Sequence, residues 1–202
     1  TGQDPVEFRL AYATDPRDKA AIQAAADLAN WETRPSPNPR NGGSGDLLYG
    51  RGIAYAQRNG ATNAVVAEVE VNRETGRVWV RRFFVGSDHG LIINPFTLDR
   101  TIEGNLLQAT SRTLFEEVKF DRQMVKSVDW ITYPILRAVD APEEIIIKKI
   151  DRPELGKPMG AGEPTTRVTP AAIANAIFDA TGVRIRKVPL TPERIKAALD
   201  RA

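Results

Sequence analysis

A glycine-lined turn that leads directly into a helix start is the feature that most constrains the fold of this sequence. It runs Gly156-Lys-Pro-Met-Gly-Ala-Gly-Glu-Pro164 and holds one carboxylate, Glu163. Gly160 and Gly162 can take positive φ and let a large ligand approach the backbone closely. Pro164 fixes the exit direction and restricts Glu163 to extended geometry. The sequence therefore predicts an acid held on a stiff platform at the mouth of a helix, as a general base would be.

The helix behind this turn has its own start and stop signals. Thr169 is predicted as the N-cap with Pro170 as the first helical residue, and Gly182 as the residue that ends the helix. Glycine-rich turns before helices are common, so a simple turn remains the alternative on spacing alone. The turn lacks the Gly-Lys-Ser/Thr of a phosphate loop and the glycine spacing of a dinucleotide fingerprint.

The rest of the chain alternates helix and strand signals. Asp4-Pro5 and Asp15-Pro16 each read as an N-cap followed by the first helical residue, the second opening a helix that reaches about Asn30. Alternating apolar residues and turn signals predict the other elements: strands over 50–57, 65–72, 77–85 and 143–150, and helices over 98–118 and 191–199. This order predicts an α+β fold with a mixed or antiparallel sheet flanked by helices.

A Pro- and Gly-rich stretch at 35–45 is the only linker candidate. It divides the chain into a helical segment with its linker at 1–45 and an α+β domain at 46–202. The first residue is Thr, so we expect a processed product or a piece of a longer protein.

Composition excludes several classes of function. The chain has no Cys, so it can hold neither a disulfide nor an iron–sulfur cluster of its own, and a single His cannot build a zinc site. The net charge of +2 is too small to predict nucleic-acid binding, although the pI is near 9.0. The apolar runs are only a few residues long, so no membrane span is expected, and no signal peptide is visible.

Several motifs, in chain order, resemble one enzyme family. They are Asp4-Pro-Val-Glu-Phe-Arg9, Asp88-His-Gly-Leu-Ile-Ile-Asn-Pro95, Thr101-Ile-Glu-Gly-Asn-Leu-Leu-Gln108 running to Glu116-Glu117, the Gly-Ala-Gly-Glu-Pro turn, residues 169–186 and Val188-Pro-Leu190. Together they resemble the C-terminal end of the molybdenum (molybdopterin)-binding subunit of the xanthine dehydrogenase and aldehyde oxidase family. The isoquinoline 1-oxidoreductase and aldehyde dehydrogenase branch is the most similar, and the resemblance covers essentially the whole chain.

The resemblance implies a role for particular residues. The chain would be part of the second molybdenum-binding domain of a molybdenum hydroxylase, which hydroxylates an N-heteroaromatic compound or an aldehyde with water as the oxygen source. Glu163 would be the general base, and the alternative is an acid that only belongs to the turn. Gln108 would hydrogen-bond the pterin, against a satisfied core amide, although Ala109-Thr110 replaces the glycine-led pair usual after it. Gly160, Ala161 and Gly162 would present backbone to the cofactor, against simple turn geometry. No residue is expected to ligate the metal, and His89, the only histidine, is expected to be neither ligand nor base.

The resemblance also implies cofactors and partners. The cofactor would be molybdopterin, as its cytosine dinucleotide, with molybdenum, and iron–sulfur clusters would lie only on a partner. Expected partners are the remainder of the molybdenum subunit, a 2Fe-2S subunit, an FAD or cytochrome subunit and a small-molecule substrate. The expected location is cytoplasmic, with a periplasmic one as the alternative, and the chain alone is expected to be inactive.

Two other functional hypotheses remain open. One is a non-catalytic scaffold or assembly module that keeps this fold and binds no cofactor by itself. The other is a nucleic-acid-binding module, suggested only by the pI, and its basic runs lack the interleaved aromatics that stacking requires.

Overall fold

A computed structural model describes residues 2–41 and 45–202. Within these residues the chain forms five α-helices and four strands: α1 (Pro5–Tyr12), α2 (Pro16–Leu28), β1 (Leu47–Arg58), β2 (Ala61–Asn72), β3 (Val78–Asp88), α3 (Pro95–Leu114), β4 (Glu144–Ile150), α4 (Pro164–Thr181) and α5 (Pro192–Leu199). Short 3-10 helices cover Pro39–Asn41, Ala138–Asp140 and Pro153–Leu155. The predicted α+β class and the predicted order of elements are confirmed.

The four strands form one mixed sheet in the order β1-β2-β3-β4. The first three are joined by tight turns into an antiparallel meander, and β4 pairs with β3 in parallel. A parallel neighbour needs a long connection, which here consists of α3 and the irregular chain that follows it.

Helices cover both faces of this sheet and divide the core in two. One apolar cluster lies between the sheet and α3, α4 and α5, and the other lies between the opposite face and α1 and α2. The sequence predicted a half-buried strand at 65–72, but β2 has buried residues on both faces because helices pack against each of them. At Gly52 of β1 the backbone of α4 passes so close that a Cβ would collide with Ala172 O and Ala176 N.

Local capping sets most helix starts where the sequence places them. Asp4, Asp15 and Thr191 each accept a hydrogen bond from a backbone N–H of the first turn, ahead of a proline at the first helical position. The predicted start of α4 at Pro170 is wrong, since the helix already begins at Pro164. Its predicted end is confirmed, because Gly182 follows the last turn with φ of 77°.

Hydrogen bonds from Asn38 and Asn41 hold the Pro- and Gly-rich stretch against the rest of the fold. The Asn38 backbone N–H donates to the Asp179 carbonyl at 2.7 Å, and the Asn41 side chain donates to the Tyr49 carbonyl at 2.7 Å. Residues 42–44 of the predicted linker lie outside the described residues, and the domain division after residue 45 stays a prediction. No helix within 2–41 and 45–202 is long and apolar enough to cross a lipid bilayer.

Candidate functional site

The glycine turn is held in place by contacts from two other elements. The Met159 backbone N–H donates to the His89 carbonyl at 2.7 Å, and an imidazole nitrogen of His89 lies 3.1 Å from the Gly160 carbonyl oxygen. From α3, the Asn105 amide donates to the Ala161 carbonyl at 3.3 Å and to the Thr165 hydroxyl at 3.2 Å. The turn is therefore anchored at both ends by side chains that lie far from it in the sequence.

Glu163 directly precedes α4, whereas the sequence placed the helix start at Pro170, and its ψ of 0° is not the extended geometry that was predicted for it. It occupies the N-cap position without using its carboxylate as a cap, and Thr166 donates both its N–H and its hydroxyl to the Glu163 carbonyl. The Glu163 side chain is 60% exposed and forms an ion pair with Arg58, at the end of β1. The carboxylate is thus free of the helix backbone and points into accessible space, at the positive end of the helix dipole.

Gly160 and Gly162 do not use the conformational freedom that the sequence predicted for them. Neither has positive φ, so that expectation is wrong. A Cβ added at Gly162 would meet no atom within 4 Å, and one at Gly160 would only touch Asn59 at 3.8 Å. Packing within the described residues therefore gives no reason for glycine at these positions, whereas a group approaching from outside would.

Two buried polar atoms near this turn have no hydrogen-bond partner among the described residues. They are Nε of Arg58 and Nδ2 of Asn63. Asn63 is fully buried, and its Oδ1 lies 3.2 Å from a ring nitrogen of His89 and accepts from the Ser87 hydroxyl at 2.9 Å. Buried donors without a partner are rare in folded proteins, so these two atoms are unusual.

His89 is a buried residue that contacts the glycine turn. Both ring nitrogens face oxygen atoms, and a neutral ring can donate to only one of them. Burial lowers the pKa of His89 below 6.5, outweighing the hydrogen bond to Gly160 and the charge of Asp88. The ring is therefore neutral at pH 7. No local sequence signal indicates that this residue holds the turn.

A buried carboxylate fixes the chain next to His89. Burial alone raises the pKa of Asp88, but hydrogen bonds from Arg17, from the Gly90 backbone and from Arg152 outweigh it, so the pKa lies below its ordinary value of 3.8. Arg17 and Arg152 come from α2 and from the segment before the glycine turn. Asp88 thus ties three parts of the fold together under the candidate site.

Gln108 lies on the exposed side of α3 and not in the core, so the alternative of a satisfied core amide is wrong. It borders a surface depression with Leu107, Ser111 and Ile135. Among the described residues its amide makes no hydrogen bond. Asn105, one turn earlier on α3, is the amide that contacts the glycine turn.

Several polar groups near the glycine turn and on α3 have the chemistry to hydrogen-bond a pterin cofactor. The carboxylate of Glu163, the guanidinium of Arg58 and the amide of Gln108 supply hydrogen-bonding groups for an organic molecule, beside the exposed residues Gly160 and Gly162. No cluster of three or more His, Cys, Asp or Glu side chains in residues 2–41 and 45–202 could hold a metal ion.

The larger clefts lie elsewhere on the surface. One of about 890 Å³ is lined by Arg9, Arg34, Arg51 and Arg184. It reaches Phe178, which is fifteen residues beyond Glu163 and so roughly 22 Å along α4. A second feature is the irregular segment after α3, where Trp130 is 77% exposed and the Tyr133 hydroxyl donates to Glu116 at 2.7 Å. The largest clefts therefore do not coincide with the candidate site.

Comparison with known proteins gives one family and a consistent set of relatives. Residues 24–142 match the family described as the molybdopterin cofactor-binding domain, a match that includes Gln108 and ends before Glu163. The chain is 42% identical to a nicotinate dehydrogenase polypeptide of Pseudomonas putida, over 98% of this chain and 17% of the relative. It is 30% identical to the beta chain of isoquinoline 1-oxidoreductase of Brevundimonas diminuta, over 94% of this chain and 23% of the relative.

The fold is also similar to solved structures. Quinoline 2-oxidoreductase from Pseudomonas putida 86 superposes with a TM-score of 0.65 at 33% identity, over 69% of this chain and 19% of that chain. An aldehyde oxidoreductase from Desulfovibrio gigas gives 0.62 at 30% identity, over 69% of this chain and 15% of that chain. The chain thus spans less than a quarter of the length of each of these proteins.

Proposed function

Because this chain belongs to the molybdopterin-binding, xanthine dehydrogenase-like family of molybdenum-dependent oxidoreductases, we propose that it forms part of the active site of a molybdenum hydroxylase. In the whole protein it would supply the general base, Glu163, and part of the cofactor wall. The observation that carries this proposal is the geometry of Glu163, which stands uncapped and exposed at the start of α4 beside an open glycine backbone.

Each of the candidate residues would have its own role in the reaction. Residues 160–162 would present backbone groups to the cofactor, and Gln108 would donate its amide to the pterin. Glu163 would accept a proton from the attacking water-derived oxygen, which needs a separation of about 3 Å. When bound, molybdopterin with molybdenum supplies the two-electron redox chemistry that this chain's own side chains cannot. The turn anchored by His89 and Asn105 would keep the carboxylate at a fixed position during proton transfer.

The proposed substrate class follows from the names of the relatives. Nicotinate, isoquinoline and quinoline are named for proteins that resemble this chain, so we propose an N-heteroaromatic substrate class, with an aldehyde as the alternative. We further propose the cytosine dinucleotide form of the cofactor. The proposed partners are the remainder of the molybdenum subunit, a 2Fe-2S subunit, and an FAD or cytochrome subunit that passes electrons on.

Replacement of the proposed base tests this function directly. In the full-length assembled enzyme, Glu163→Gln should lower kcat by about 10²- to 10⁴-fold, the usual contribution of a general base, which corresponds to roughly 3–5.5 kcal/mol. Molybdenum and pterin contents, measured by elemental and chromatographic analysis, should stay at the parental level.

A matched control is Glu154→Gln, because Glu154 is also an exposed acid just before the same turn, at 62% exposure. Its turnover should equal that of the parent. Normal turnover by Glu163→Gln would show that another group takes the proton. Absence of molybdenum and pterin from the assembled parental protein would instead favour the non-catalytic scaffold.

A further inference from the structure

Arg58 occupies a rigid position next to the proposed base. It is the last residue of β1 and pairs in register with Ala61, so only Asn59 and Gly60 lie in the turn. Both turn residues have positive φ, 51° and 78°, as expected for a tight hairpin of this kind. Its side chain reaches across to Glu163, although 105 positions separate the two residues.

The hairpin tip and the glycine turn also touch through Met159. A Cβ added at Gly60 would lie 2.8 Å from the Met159 sulfur, so the side chain of Met159 covers the tip closely. The hairpin tip is therefore in contact with the glycine turn through the Met159 side chain as well as through the ion pair.

The guanidinium of Arg58 has more donors than the ion pair uses. A guanidinium carries five N–H groups in a planar fork. Within the described residues, one terminal nitrogen pairs with a Glu163 oxygen, and Nε is buried with no partner. The side chains of Arg58 and Glu163 are 33% and 60% exposed, so the ion pair lies at the surface.

The ion pair with Arg58 restrains the proposed base, Glu163. The arginine engages one oxygen of Glu163, so the carboxylate is restrained in its orientation and has only its other oxygen unpaired for proton transfer. A second carboxylate that bound to Arg58 would form the bidentate pair that arginine favours, and the ion pair with Glu163 would break.

We propose that Arg58 is a specificity-determining residue that binds a carboxylate group on the substrate. The substrate class is then an N-heteroaromatic acid, and its carboxylate displaces Glu163 from Arg58 as it binds. This inference rests on the proposed role of Glu163 as the base. The alternative is an ion pair that only fastens the hairpin to the turn.

The test compares two probes that share a ring and differ in charge, pyridine-3-carboxylate and pyridine-3-carboxamide, on the full-length assembled enzyme. Arg58→Gln should lower kcat/KM for the carboxylate by about 10- to 150-fold, the value of one hydrogen bond to a charged group. The carboxamide should change by less than about twofold, and Arg58→Lys should recover part of the loss for the carboxylate. Arg73→Gln, an exposed arginine at the opposite end of β2, is the matched control.

A binding measurement without turnover completes the test. In Glu163→Gln enzyme, Arg58 has lost its competing carboxylate, so pyridine-3-carboxylate should bind more tightly than to the parent by equilibrium titration. The carboxamide should bind equally to both. An ion pair that only fastens the hairpin predicts no such difference, and neither does an altered fold, which thermal unfolding and cofactor content would reveal.

The possible failures are distinguishable. If the parent does not prefer the carboxylate over the carboxamide, or if Arg58→Gln weakens both probes equally, the assignment to Arg58 is wrong and the role of Glu163 stands. If Glu163→Gln retains normal turnover, the proposed function fails, and the titration still reports whether Arg58 binds the carboxylate.

Discussion

Replacement of the buried carboxylate of Asp88 by an amide should destabilise the fold more than any other single charge change near the site. Asp88 is fully buried at the end of β3 and accepts hydrogen bonds at 3.1 Å from Arg17 Nε, Arg152 Nε and the Gly90 backbone N–H. A second N–H of Arg17 also donates to it. An asparagine in its place would keep one acceptor oxygen and turn an NH₂ group toward a guanidinium.

The magnitude follows from the bonds that Asp88→Asn removes. At least two charge-assisted hydrogen bonds would be lost, at about 1.5–3 kcal/mol each. The side chains of Arg17 and Arg152 are 22% and 28% exposed, so water recovers part of this loss. We expect a loss of about 3 kcal/mol in the free energy of unfolding, at the lower end for a broken buried pair. The melting temperature should fall by roughly 6–12 °C.

The same substitution should change the pH dependence of stability in a defined window. The pKa of Asp88 in the folded state is lower than its ordinary value of 3.8, so the unfolded state binds its proton first as the pH falls. The stabilisation is complete above pH 3.8 and is lost as the pH falls through the folded-state pKa. The difference in unfolding free energy between the two proteins should therefore be constant from pH 7 to about pH 5 and shrink below pH 4.

Urea denaturation followed by tryptophan fluorescence measures both effects. Asp99→Asn is a suitable control, because Asp99 pairs with Lys149 at a partly exposed site and should cost less than about 1 kcal/mol. A cost below 1 kcal/mol for Asp88→Asn at pH 7, or a difference that grows in acid, would refute the reasoning.

Further expectations concern the packing of the sheet and the turn beneath the site. Gly52→Ala should destabilise the fold by about 1–3 kcal/mol, since the added Cβ meets the backbone of α4. Gly104 faces open space within α3, so Gly104→Ala should stabilise the fold by up to about 1 kcal/mol. Equal melting temperatures for the two variants would contradict this. Burial lowers the pKa of His89 below 6.5, so the unfolding free energy of the parent should decrease as the pH falls from 6.5, because the unfolded state binds the proton more readily. His89→Gln should remove that decrease in urea titrations between pH 7 and 5, and an unchanged pH dependence would argue against a buried neutral ring.

The parts of the fold that the sequence predicts are those with local causes. Asp4-Pro5 and Asp15-Pro16 each contain both the acceptor that caps a helix and the proline that begins it, so neighbours in the chain decide the outcome. The start of α4 was predicted wrongly because the same signal occurs twice. Pro164 begins the helix, and the Thr169 hydroxyl donates to the Thr165 carbonyl at 2.8 Å and does not cap a helix.

The surroundings of Glu163 could not be predicted because they depend on long-range packing. The sequence identifies the acid and its glycines, but Arg58 and Asn105 carry no local signal that places them against the turn. Their positions follow from the pairing of β1 with β2 and from the packing of α3 on α4. Gln108 shows the same limit, since its helix was predicted, with bounds displaced by three or four residues, and its exposure was not.

The way the site is anchored suggests a division between reaction and selectivity. Glu163 is positioned by backbone contacts of its turn with His89, Asn105 and Thr166, which involve no charged side chain and would tolerate different substrates. Arg58 instead reaches the site from a hairpin tip that is fixed by its own two turn residues, so a different side chain there need not disturb the base. Although the hairpin and the turn touch through Met159 and the ion pair, most of their supporting contacts differ. We therefore expect substitutions at the hairpin to alter mainly which substrates bind, and substitutions in the turn to alter mainly whether any substrate reacts.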